Sequence, residues 1–90
     1  MPYGMTRQKT IHHADYCAMV DALRAERERL GLSQSDVARA LGMTQSEISK
    51  METYERRIDL WDFKSLVELY RLSENIHLQS VIGKFLGIPK

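Results

Sequence analysis

At 90 residues, with 13 basic and 12 acidic side chains and a net charge of +1, the chain is the size of one domain, and it is too balanced in charge for bulk electrostatics to mark it as a nucleic-acid binder. Its single cysteine, Cys17, excludes an internal disulfide and lacks metal-ligand spacing, so a reduced, cytoplasmic setting is expected with Cys17 as core filling. No apolar run approaches the roughly 18 residues of a membrane span, and no basic segment leads into an apolar one at the N-terminus, so no membrane role is expected.

Residues 1–14, MPYGMTRQKTIHHA, have no period and carry Arg7, Lys9, His12 and His13, which reads as a flexible, mildly basic arm ahead of a single domain over 15–90. From Asp15 the steps become helical: Tyr16, Met19, Val20, Leu23, Arg27 and Leu30 share one face, and Gly31 stands where a helix C-terminal glycine belongs. Ser33 then caps a short second helix with Val37, Ala38 and Leu41 as its apolar side and Gly42 as its stop. Thr44 and Glu47 form a capping-box pattern for a third helix, in which Ile48 and Met51 point inward and which ends near Glu52 or Thr53. Only Gly42 and Met43 join these two helices, a spacing that a helix-turn-helix requires over about residues 33–53.

After a charged loop, Asp59 caps a fourth helix with Leu60, Phe63, Leu66, Val67 and Tyr70 on one side, extended by Trp61 and Leu69. Ser73 or Asn75 opens a fifth, over about 75–87, where Leu78, Val81, Ile82 and Phe85 keep helical spacing before Gly87 and Pro89. No segment shows the two-residue alternation of a strand. The expected class is therefore all-α, a compact domain of five helices.

The outward face of the third helix carries Gln45, Ser46, Ser49 and Lys50, which offer directional donors and acceptors where a solvated face usually carries Glu, Lys and Arg. A glutamine can bond N6 and N7 of an adenine, and a lysine can approach O6 and N7 of a guanine. At the first turn of the second helix, Ser33 and Gln34 stand where backbone N–H groups and the helix dipole suit a phosphate. Such a contact sets register and carries no sequence information.

These residues carry a resemblance. The stretch LRAERERLGLSQSDVARALGMTQSEISKMETYERR, residues 23–57, resembles the Cro/CI-type (XRE-type) helix-turn-helix family, through Leu32-Ser33-Gln34, Val37-Ala38, Leu41-Gly42, Thr44-Gln45, Ile48-Ser49 and Glu52 in order. With the following helix the likeness covers roughly residues 16–72. It implies a lambda-repressor-like fold in which the third helix reads DNA. Gln45 and Ser46 would contact base edges, Lys50 a base or phosphate further along, and Gln34 a phosphate while bracing Gln45. It also implies a structural ion pair between Arg27 and Glu52, and phosphate contacts from Arg56 and Arg57 in the loop. One position departs from the pattern. Where the family usually has glycine after the third helix, this chain has Tyr54, and a bulky residue at positive φ is uncommon, so a different or slightly longer helix end is expected.

Enzymatic readings find little support. His12 and His13 are adjacent and His77 lies in another element, so metal-ligand spacing is absent, and Cys17 has no adjacent base. Met43, Met51 and Trp61 read as core. No catalytic residue, metal or cofactor is expected. Two binding functions compete: a DNA-binding transcriptional regulator, and an antitoxin-like module that grips a toxin or other protein and regulates its own promoter. The first is favoured by the uncharged polar face, as a repressor on double-stranded DNA. Regulators of this kind pair across a two-fold axis, and Ile76, Leu86 and Ile88 are the apolar residues left over for a homodimer interface.

Overall fold

Helix starts in this chain are written in side chains that accept from the first unpaired N–H groups. Ser33, Thr44, Asp59 and Asn75 each accept the N–H three residues on, and they open α2 (Gln34–Leu41), α3 (Gln45–Glu52), α4 (Leu60–Leu69) and α5 (Ile76–Leu86). Among the described residues, α1 (Ala14–Arg29) alone starts without such a bond, at His13, one residue earlier than the apolar pattern suggested. Two of the caps are reciprocal boxes: Glu47 returns a carboxylate oxygen to Thr44 N at 2.9 Å, and Asp36 does the same for Ser33 N at 2.8 Å.

The computed structural model describes residues 13–71 and 74–88, and among them there are five helices and no strand. Most of the expected N-terminal arm, with Arg7, Lys9 and His12, lies outside the described residues, as does Ser73, the other candidate cap for α5. Ala14, the last residue assigned to the arm, is already helical.

The core draws on every helix: Met19, Val20 and Leu23 from α1, Val37 and Ala38 from α2, Ile48 and Met51 from α3, Leu66 from α4 and Tyr70 at its end, and Leu78 and Ile82 from α5. Each such side chain contributes roughly 1.5–3 kcal/mol on burial. In this arrangement α1 packs on α5 and α3, while α2 packs on α3 and α4. Tyr16 ties three segments together, for its hydroxyl accepts from Ile58 N at 3.0 Å and its ring meets Phe85 edge-on at 5.9 Å. Burial pushes the Tyr16 hydroxyl above its usual range.

Four apolar expectations change. Trp61 is 71% exposed and Leu60 83%, although both read as core. Trp61 lies about 140° round the helix from Leu66, on the outer side, and Leu60 falls on the first turn at the margin of the α4 stripe. There they line an open apolar groove of 570 Å³ with Phe63, Lys64 and Val67, and Lys64 Nζ stands 5.5 Å from the Trp61 ring centre. Cys17 is half-buried and outside the central cluster, and Leu30 is exposed at the α1 C-cap.

Among the described residues no helix is long and apolar enough to cross a membrane, and no group of histidine, cysteine or acidic residues is placed to hold a metal.

Candidate nucleic-acid interface

The turn between α2 and α3 depends on Gly42, which adopts φ 70° and lets Met43 N reach back to the Ala38 carbonyl at 2.8 Å. Val37 and Ala38 face Ile48 and Met51 across this turn in one buried cluster. With its inner side so held, α3 leaves Gln45, Ser46 and Lys50 exposed, and Ser49 half-buried at the edge of the same face.

Beneath this face lies a continuous chain of hydrogen bonds. Arg27 Nε and Nη2 donate to the two carboxylate oxygens of Glu52 at 2.7 and 3.1 Å, with side chains only 8% and 9% exposed. The third guanidinium nitrogen donates to the Leu32 carbonyl at 2.7 Å, which fixes the link from α1 to α2. Arg27 and Glu52 therefore form a buried, bidentate pair rather than two solvated charges, and the pairing holds the Arg27 guanidinium above its ordinary pKa. Glu52 Oε1 also accepts from Gln34 Nε2 at 3.0 Å, and Gln34 Oε1 accepts from Gln45 Nε2 at 2.5 Å. The expected brace between Gln34 and Gln45 is present, and its continuation inward to Glu52 is an addition that sequence reasoning missed.

At the first turn of α2, Ser33 and Gln34 occupy the positions expected for a phosphate contact. Asp36 places a carboxylate on the same turn, and its pKa is held below the usual carboxylate range chiefly by the hydrogen bond from Ser33 N. Arg39 Nη2 offsets that charge at 2.7 Å from Asp36 Oδ1. On α3 the same logic holds Glu47 below the ordinary range, first through Thr44 N, and Arg56 Nη1 donates to its other oxygen at 2.9 Å. Arg56 thus binds the start of α3 across the loop, while Arg57 is exposed.

The exit from α3 differs from the expectation. Tyr54 does adopt positive φ, at 67°, and the helix ends at Glu52 without running on. Tyr54 N donates to the Met51 carbonyl at 3.3 Å and Glu55 N to that of Lys50 at 2.8 Å, the two bonds of a Schellman ending with tyrosine where glycine usually sits. The left-handed backbone costs roughly 1–2 kcal/mol for a residue with a Cβ. In return the Tyr54 ring packs on the core and its hydroxyl donates to Asp21 Oδ1 of α1, which pushes the Tyr54 pKa up to about 12.

Residues 18–76 match a protein family described as a helix-turn-helix domain, well over half of the chain. The chain belongs to this family. Its helices are those of a small all-α, lambda-repressor-like domain of the Cro/CI type, and the helix-turn-helix is that of a DNA-binding regulator. No curated protein matches the chain at a significant level.

Proposed function

We propose that this helix-turn-helix protein is a cytoplasmic, sequence-specific transcriptional repressor that binds an inverted repeat as a homodimer and occludes a promoter. The observation that carries this reading is the Gln45 amide, exposed at the tip of α3 and already held by Gln34. A side chain fixed before binding loses little rotamer freedom when it meets a base, so its hydrogen bonds count toward discrimination. Ser46, Ser49 and Lys50 extend the reading face, and Gln34, Ser33 and Arg57 take phosphates, joined by Arg56 when it leaves Glu47. Ile76, Leu86 and Ile88, all exposed, supply the apolar surface for the partner copy. Recognition helices in a two-fold dimer then enter successive major grooves about 34 Å apart.

Selection of bound sequences from a randomised DNA pool by the purified protein tests this. Enrichment of an inverted repeat with half-sites one helical turn apart is expected, and Gln45→Ala should lose about 1–3 kcal/mol and relax preference at one base pair. Equal losses on selected and random DNA would remove Gln45 as a base reader. A second reading, a module that binds a toxin or other protein, draws on the exposed Leu60 and Trp61 of α4. It takes precedence if the pool yields no enriched sequence.

A further inference from the structure

We infer that Glu52 is a specificity-determining residue: acting through Gln34, its carboxylate sets the direction in which the Gln45 amide faces DNA, so that this amide reads adenine. The inference rests on the base-reading role proposed for Gln45. A carboxylate in a salt bridge can only accept hydrogen bonds. Glu52 is buried, with Arg27 donating to both of its oxygens, and the further bond at Oε1 comes from Gln34 Nε2 at 3.0 Å. An amide has its nitrogen on one side and its oxygen on the other, so a Gln34 nitrogen turned inward turns the oxygen outward. There Oε1 accepts from Gln45 Nε2 at 2.5 Å.

Gln45 is thereby left with its own carbonyl oxygen and one N–H. Adenine offers a donor at N6 and an acceptor at N7, which this pair matches, whereas guanine offers two acceptors and would set O6 against the Gln45 oxygen. Turning Gln34 over would place its oxygen against Glu52, two acceptors with no proton between them in a largely dry setting. It would also turn the Gln45 amide over, with its oxygen toward Gln34 and its two N–H groups toward the base, the arrangement that suits guanine. A buried charge two side chains behind the interface is thus a positioning group that selects the base.

The test compares binding by wild type, Glu52→Gln, Gln34→Met and the double variant to site pairs that differ only in adenine or guanine at the position whose preference Gln45→Ala relaxes. Each protein is first shown by thermal melting to fold. Wild type should favour adenine by at least about fivefold, the low end for one bidentate contact. Glu52→Gln, whose amide can donate as well as accept, should lose most of that ratio. Gln34→Met leaves the Arg27–Glu52 pair whole and should lose it too, and adding Glu52→Gln to it should change the ratio no further. A folded Glu52→Gln protein that keeps the adenine preference overturns the inference. If that variant does not fold, an unchanged ratio in Gln34→Met does so instead. An enriched operator with no adenine preference at this position overturns the relay alone, whereas no enriched operator overturns the DNA-reading function beneath it.

Discussion

Replacing Arg27 with methionine removes a guanidinium that makes three hydrogen bonds, two to Glu52 at 2.7 and 3.1 Å and one to the Leu32 carbonyl at 2.7 Å. With side chains 8% and 9% exposed, the pair is little screened by solvent, and loss of one member of such a pair costs about 3–5 kcal/mol. Glu52 would retain Gln34, and Arg24, whose Nε stands 4.0 Å away on a half-exposed side chain, can move closer. The loss should therefore fall at the lower end, about 3 kcal/mol, against a total stability on the order of 5–10 kcal/mol. In urea unfolding followed by circular dichroism, with a slope of about 1–1.5 kcal/mol per molar, the midpoint drops by about 2–3 M. Arg27→Met combined with Glu52→Met leaves no buried unpaired charge and should return to within about 1 kcal/mol of wild type. A loss below about 1 kcal/mol for Arg27→Met, with simple additivity in the double variant, would mean that the pair behaves as a solvated one. The anchoring of Glu52 at the end of α3 would then have no energetic basis.

Tyr54→Phe should destabilise the domain by about 0.5–1.5 kcal/mol, seen as a melting temperature lowered by several degrees, because it keeps the strained backbone and removes the bond to Asp21. Since the folded-state pKa of Tyr54 is raised from 10.0 to about 12, its contribution is full below pH 10 and is lost as pH rises toward 12. Phenolate absorbance against unfolding stability checks this, and Tyr54→Phe should abolish that part of the alkaline loss. At acid pH the sign reverses. Glu26 is buried and accepts from Arg29 at 2.9 and 2.6 Å and from Asn75 at 2.7 Å, and with Arg29 as the main cause its pKa lies below the ordinary 4.5. Its stabilisation is present above pH 4.5 and disappears as pH falls through the depressed value, so Glu26→Gln should flatten the acid limb of a stability–pH curve. Arg57→Ala should weaken binding to all DNA sequences alike and lower the salt slope by about 1. Arg56→Ala should do less in the same titration, because its guanidinium is already paired with Glu47 at 2.9 Å.

What could be read from the sequence was chiefly what is local. Thr44 and Glu47 lie within one turn, so their box is visible in the residue types alone, as are Ser33 and Asp59 as caps and Gly42 as a stop. The box at Ser33 escaped notice because aspartate at the third position does the work more often done by glutamate. The polar face of α3 follows from helical period, and the Arg27–Glu52 pair from family resemblance. Illegible were contacts between residues far apart whose meeting depends on how helices pack. Asn75 both caps α5 and donates to Glu26, 49 residues earlier, and Tyr54 finds Asp21 across 33. No local pattern encodes either. Trp61 was misplaced for the opposite reason: its hydrophobicity is plain, but at the first turn of α4 it falls on the outer side of the helix, away from the core.

The polar staple of Asn75 on Glu26 has a geometric meaning beyond stability. It fastens the start of α5 to α1, and α1 in turn packs against α3 and donates Arg27 to its last residue. The helix that carries most of the proposed dimer surface and the helix proposed to enter the groove thus meet through α1. In a dimer built on α5, the distance between the two reading heads would be set by the length and tilt of α1. Substitutions on the buried side of α1, far from any base, would shift the tolerated spacing between half-sites while leaving the sequence of each half-site unchanged.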